Sequence, residues 1–174
     1  MTKRLLKQPF FINSMKQSIN IVFFAILLTG CSTSKQVAQR KSEKEAKELI
    51  EFANQYIGTR YLPGGTTPKG FDCSGYVQFT YEKIGYSLPR TTKEQAKIGA
   101  KIKKKNLKTG DLVFFRGRNK KPKSIRHVGI VTETDKKGKF NFIHASSAGV
   151  KIDNSELSYY KIRYIKAQRI IGSQ

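Results

Sequence analysis

Residues 70–79, GFDCSGYVQF, set a cysteine between an aspartate and a serine, with a glycine next and an apolar, aromatic-rich run behind it. Four roles are open to Cys73: half of a disulfide, a metal ligand, a buried thiol, or a nucleophile. The last acts as a thiolate, and a thiol of ordinary pKa, near ~8.5, needs help to ionise. A helix start helps through its unpaired N–H groups and dipole, and an imidazole can take the proton. Asp72 reads as the N-cap of such a helix and Cys73 as its first residue. Val77, Tyr81 and Ile84 then share a face, and Gly85 closes it.

A base must be one of two histidines. His127 opens HVGIVT and His144 ends FNFIH, both strand-like runs. If residues 135–138 form the turn between them, His127 faces residue 146 and His144 is its diagonal neighbour on the same face. A tight turn at Asp135-Lys136 would set the two rings directly opposite. The register between these would put them on opposite faces and separate them. A paired arrangement would supply a base and a second ring to fix its tautomer. Two unrelated histidines remain the other reading of the spacing. A zinc site is disfavoured, because the histidines and cysteines are too few and scattered, with no C-x-x-C or H-E-x-x-H.

The elements that must position these side chains follow in order. Ser42-x-x-Glu45 is a capping box, and Ala46, Leu49, Ile50, Ala53 and Ile57 continue at helical spacing to Gly58. A loop dense in Gly and Pro leads to Asp72. Thr91-x-x-Glu94 begins a short third helix that ends near Gly99. Short runs of period two or continuous apolarity come next: DLVFF, HVGIVT, FNFIH, GVKI and RYIKAQRII. Helices first and an antiparallel sheet second make an α+β domain.

At 174 residues the chain is one domain's length, with 38% hydrophobic and 26% charged residues. Its 34 Lys+Arg against 12 Asp+Glu give +22. Four of the basic residues (Lys3, Arg4, Lys7 and Lys16) fall in the first 30, so the rest still carries +18. Such a field attracts any polyanion without choosing among them. The N-terminus chooses the compartment. The apolar run Ile21 to Leu28 is too short to span a bilayer but fits the core of an export signal; Met15 is a second candidate start. The run ends in Leu28-Thr29-Gly30-Cys31, which resembles the lipobox of bacterial lipoproteins, so Cys31 is expected to carry lipid. An oxidising exterior would permit a Cys31–Cys73 disulfide, but a lipidated Cys31 leaves Cys73 unpaired. The expected organisation is a signal peptide over residues 1–30, a lipidated cysteine and flexible tether over 31–44, and the α+β domain over 45–174.

Residues 56–95, from YIGTRYLPGG through DCSG to LPRTTKEQ, together with LKTGDLVFF, HVGIV and FIHAS, resemble the NlpC/P60 family of papain-like cell-wall cysteine peptidases. The likeness covers roughly residues 45–172. It implies a papain-like fold with about five strands, Cys73 as nucleophile, His127 as base and His144 as the group that orients it. It also implies Tyr61 beside the thiol and a substrate amine as a second partner for Asp72. The implied substrate is a stem peptide or cross-link of peptidoglycan, with no metal or organic cofactor. The basic stretch 116–126, RGRNKKPKSIR, is longer than the compact connection expected there.

Ser74 can cap the helix or contact substrate; the sequence leaves both open. Asp111 reads as the anchor of a strand-entry turn, and Gly64-Gly65 as a place where backbone passes close to the site. The basic surface suggests adhesion to an anionic wall polymer. Nucleic acid is not expected outside the cell, and no nucleic-acid motif is present. The whole is expected to be a monomer held at the membrane by lipid on Cys31. With Ser32 after that cysteine, known lipoproteins imply the outer membrane, or the outer face of the cytoplasmic membrane in a host without one. The rival reading is a non-catalytic basic lipoprotein that binds envelope polymer on the same scaffold.

Overall fold

The computed structural model describes residues 34–117, 124–135 and 137–173. The expected export signal and lipobox, with Cys31, lie outside them, as does part of the basic stretch after Arg116. The chain divides into a unit Met1–Arg40 and a unit Lys41–Gln174. In the first, residues 34–40 are helical and exposed. In the second, helix α1 covers residues 41–54 and does not begin at Ser42; the described positions 34–41 are helical rather than coil. The reason is local: Lys, Gln, Ala and Arg are good helix formers, and no Gly or Pro interrupts them. Three Lys-to-Glu pairs at i,i+4, Lys41–Glu45, Lys44–Glu48 and Lys47–Glu51, extend that support. Ala46, Leu49 and Ala53 are buried as their spacing predicts. Ile57, expected on the same face, lies past the helix end and is exposed.

After α1 come two short strands, β1 (Thr66–Thr67) and β2 (Gly70–Phe71), paired antiparallel. Helix α2 (Cys73–Lys83) and the single turn α3 (Thr92–Gln95) follow. The strands β3 (Ala100–Ile102), β4 (Leu112–Arg116), β5 (Ile125–Thr134), β6 (Phe140–Ser146), β7 (Gly149–Asn154) and β8 (Tyr164–Arg169) form one sheet, with a turn of helix α4 (Ser158–Lys161) before β8. Their order is β3-β8-β4-β5-β6-β7, antiparallel throughout. The sheet has six strands rather than about five; the addition, β3, is three residues long and only partly buried, too short to show a period.

Alternation along the strands makes two cores. Leu112, Phe114, Val128, Ile130, Ile143 and Ala145 face the helices and pack with Leu49, Ala53, Tyr76, Val77 and Tyr81. Val113, Phe115, Val131, Phe140 and Phe142 face the other way and pack with Tyr160 and Ala167. Asp111, 1% exposed, holds the entry to β4: its carboxylate accepts two hydrogen bonds of 2.7 Å from Arg169 and one of 2.8 Å from the Lys108 N–H. This is the turn-anchoring role its place in GDLVFF suggests.

Candidate active site

Helix α2 delivers Cys73. Asp72 caps it in extended conformation, accepting from the Gly75 N–H at 2.7 Å, and Cys73 is its first helical residue. Gly75 is required here by space: a Cβ would lie 2.1 Å from the carbonyl oxygen of Gly65. That oxygen in turn accepts from the Asp72 N–H at 3.0 Å. The Gly-Gly loop is thus pressed against the first turn of α2, and the carboxylate of Asp72 also accepts from the Gly64 N–H at 3.1 Å. This places Tyr61 near the sulfur, where burial first and then the charges of Cys73 and Asp72 raise its pKa.

The sulfur is in the seam between α2, α3 and β5. It lies 3.6 Å from Thr92 Oγ1 and donates to the Arg126 carbonyl at 3.8 Å. The N–H groups of Val128 and Ser74 also favour its charged form. The sulfur therefore touches the backbone on both sides of His127, while its side-chain contact is the Thr92 hydroxyl rather than the imidazole. Cys73 is 8% exposed, and burial raises its pKa more than the hydroxyl and N–H groups lower it. The resting sulfur is therefore protonated, although it stands at a helix start. Desolvation outweighs the favourable dipole.

The register of β5 on β6 decides the histidines. Ile130 pairs with Ile143 and Val131 with Phe142, and a bulge shifts the pairing by one nearer the turn. Before the bulge this is the diagonal register, and the rings meet: His127 Nε2 lies 2.8 Å from His144 Nδ1. Both rings are on the sheet face that carries Phe115, Phe142 and Tyr160. Burial, and next the His144 ring, lowers the pKa of His127 to about 3. His144, fully buried, is also lowered, chiefly by burial, against the pull of Asp153. Both rings are neutral at neutral pH.

Asp72 and Ser74, the two further positions singled out in DCSG, carry a group that the sequence did not single out. Arg90 donates to both oxygens of Asp72, at 3.0 and 2.5 Å, and to Ser74 Oγ at 3.1 Å. This bidentate pair and the cap hydrogen bonds hold the Asp72 pKa below the ordinary carboxylate range although burial alone would raise it. A cleft of ≈ 540 Å³ opens at this point, lined by Asp72, Ser74, Arg90, Thr92, Ile125 and Arg126 among others. Thr92 and Arg126 line the cleft and also contact the sulfur, while Cys73 itself does not line it. Arg90 and Thr92 sit in PRTT, at the N-terminus of the capping motif Thr91-x-x-Glu94. That motif announces a helix, and nothing local in it says that the flanking side chains turn toward Cys73. Among the described residues no cluster of three His, Cys, Asp or Glu side chains is placed to hold a metal ion.

A thiol at a helix start and two imidazoles are the parts of nucleophilic acyl chemistry: the fold joins His127 to His144 on the sheet face of Phe115 and Phe142, and sets Cys73 on the face of Val128 and Ile130, its sulfur against the backbone of Arg126. The NlpC/P60 family model matches residues 58–169. A "Probable endopeptidase NlpC homolog" of Haemophilus influenzae is 42% identical over 127 residues, covering 72% of this chain and 63% of that protein. The "Murein DD-endopeptidase MepS/Murein LD-carboxypeptidase" of Escherichia coli K12 is 36% identical over 183 residues, covering 90% of this chain and 93% of that one. The crystal structure of an NlpC/P60 family protein from Bacillus cereus superposes with a TM-score of 0.66 at 30% identity, over 72% of this chain and 40% of that chain. The chain thus spans less than two thirds of the Haemophilus and Bacillus proteins and nearly all of the Escherichia one. On the matched span, the antiparallel sheet and the DCSG and HVGI motifs, this chain belongs to the NlpC/P60 family and has its papain-like α+β fold.

Proposed function

We propose that the protein is a lipid-anchored peptidoglycan hydrolase that cuts an amide bond of stem peptides or their cross-links through a thioester on Cys73. It is a peptidase of the murein endopeptidase class, the class named for its Escherichia coli relative. The observation that carries the mechanism is the 2.8 Å contact between His127 Nε2 and His144 Nδ1. It occupies one nitrogen of the His127 ring and leaves the other, Nδ1, for the thiol.

In this mechanism the resting pair is neutral. As substrate enters the cleft, the Cys73 side chain leaves its contact with Thr92. His127 Nδ1 takes the thiol proton while the sulfur attacks the carbonyl carbon. The oxyanion meets the Cys73 N–H, a first-turn donor that the helix itself leaves without a partner. The C–N bond then breaks, and the imidazolium returns its proton to the leaving amine. Water attacks the thioester with His127 again as base, which frees the acid and restores the thiol. Tyr61 borders the thiol. Asp72 and Ser74 line the cleft, and a substrate amine would meet a carboxylate already shared with Arg90.

Lipid on Cys31 would hold the enzyme at the membrane, facing the periplasm from the outer membrane in a host that has one. The basic surface, +18 after the signal, would favour an anionic envelope polymer. We propose a monomer. Muropeptide mass spectrometry tests the reaction class. Sacculi digested with the protein should yield peptides shortened or uncoupled at amide bonds, with glycan strands intact. Binding to sacculi with no new peptide termini would instead favour the non-catalytic scaffold reading.

A further inference from the structure

The histidine pair does not end at His144. Its Nε2 lies 3.0 Å from Asp153 Oδ2, and the same oxygen accepts from the Tyr160 hydroxyl at 2.8 Å and pairs with Lys151 Nζ at 3.0 Å. The sheet register produces this. His144 pairs directly with Lys151, and Asp153 stands two residues further along β7 on the same face. His127 and His144 stand in the same diagonal relation one strand earlier. Two successive diagonal steps therefore carry a hydrogen-bonded chain across β5, β6 and β7. The chain is well enclosed, with His144 at 0% and the Asp153 side chain at 11% exposure.

We propose that Asp153 is a positioning residue of the reaction, selecting the tautomer of both histidines and so deciding which nitrogen of His127 is basic. This rests on the reading of His127 as the base for Cys73. The protons can be counted along the chain. A carboxylate only accepts, so the neutral His144 ring must carry its proton on Nε2. Tyr160 does not compete, because its own proton goes to Asp153. His144 Nδ1 is then a bare lone pair and can only accept from His127 Nε2–H. His127 Nδ1 is left unprotonated, which is the state a general base needs. Without the carboxylate, the opposite order is equally satisfied between the two rings. His144 Nδ1–H would donate to His127 Nε2, and the proton on His127 Nδ1 would block the base. Hydrogen bonding by the Lys151 ammonium and the Tyr160 hydroxyl, and by His144 itself, keeps the Asp153 pKa low although burial opposes it, so the acceptor persists.

The test uses the ¹⁵N-labelled full chain in detergent micelles. With two histidines in the sequence, imidazole ¹H–¹⁵N correlation spectra at neutral pH resolve each ring. Wild type should show both rings protonated on Nε2, with Nδ1 bare. Asp153→Ala should mix the tautomers and lower kcat on muropeptides by roughly ten- to a hundredfold, with KM unchanged, as removal of an orienting partner does. Asp153→Asn, which can keep an oxygen acceptor, should recover part of both. A wild-type His144 protonated on Nδ1, or an Asp153→Ala protein with unchanged tautomers and kcat, overturns the proposal. If the Ala variant fails to fold, the wild-type and Asn spectra decide. The spectra need no substrate. Correct tautomers in a protein that cleaves no peptidoglycan would sink the peptidase reading and leave the role of Asp153 standing.

Discussion

His127 and His144 meet nitrogen to nitrogen at 2.8 Å although seventeen positions separate them, because β5 and β6 pair in the register that makes them diagonal neighbours. In the proposed mechanism one ring orients the other. His127→Ala should therefore lower the initial rate of muropeptide release by about 10²–10⁴, the ordinary worth of a positioned general base. Near-normal turnover in that variant would remove the base from the mechanism.

The rings are kept neutral by burial, and this has a pH signature. Since the pKa of His127 is lowered to about 3, the ring proposed as base stays unprotonated across the mildly acidic range. The hydrolysis rate should show no acid-side fall near ~6.5, where an unperturbed histidine titrates. Separately, alkylation of Cys73 by iodoacetamide should rise with pH through a midpoint above that of a free cysteine, because burial raises this thiol. A midpoint well below the free value would mean a resting thiolate–imidazolium pair.

Asp72 joins the cap of α2, the Gly-Gly loop and Arg90. Asp72→Ala should cost about 1–2 kcal/mol in urea unfolding from the lost cap alone. The pKa values of Asp72 and Asp153 are both lowered in the fold. Their contribution is present above the carboxylate range of the unfolded chain, near ~4, and is lost as pH falls through their lower folded values. Stability should therefore decline on acidification below pH ~4, and less steeply in Asp72→Ala.

Gly75→Ala tests the close approach of loop and helix. Its Cβ would meet the Gly65 carbonyl oxygen at 2.1 Å, a backbone atom that cannot rotate away. A loss on the order of 1–3 kcal/mol is expected from such overpacking, read as a lower Tm. An unchanged Tm would mean that the loop moves freely.

Much of this was legible in the chain. Thr91-x-x-Glu94 marks the start of α3, Asp72 caps α2, and period two marks the longer strands, whereas Ser42-x-x-Glu45 falls inside a helical stretch rather than at its start. The diagonal register of the histidines is one of the arrangements that counting from the turn allows. What stayed hidden depends on distance between elements. The helical character of residues 34–41 was masked by their polarity, because a helix that buries nothing shows no apolar period. Asp153 could have been reached by the same counting, from a turn at Ser147-Ala148. Without a partner in mind it reads as one more exposed polar position in GVKIDN. The protonated state of Cys73 was out of reach, since dipole and desolvation oppose each other and only burial fixes the balance.

The most direct test is parallel digestion of purified sacculi by wild type and by Cys73→Ala, with new peptide termini counted by mass spectrometry. Wild type should release peptides, and the Ala variant should fall to background while keeping its fold by circular dichroism. A folded Cys73→Ala protein that frees peptides as fast as wild type would contradict the account.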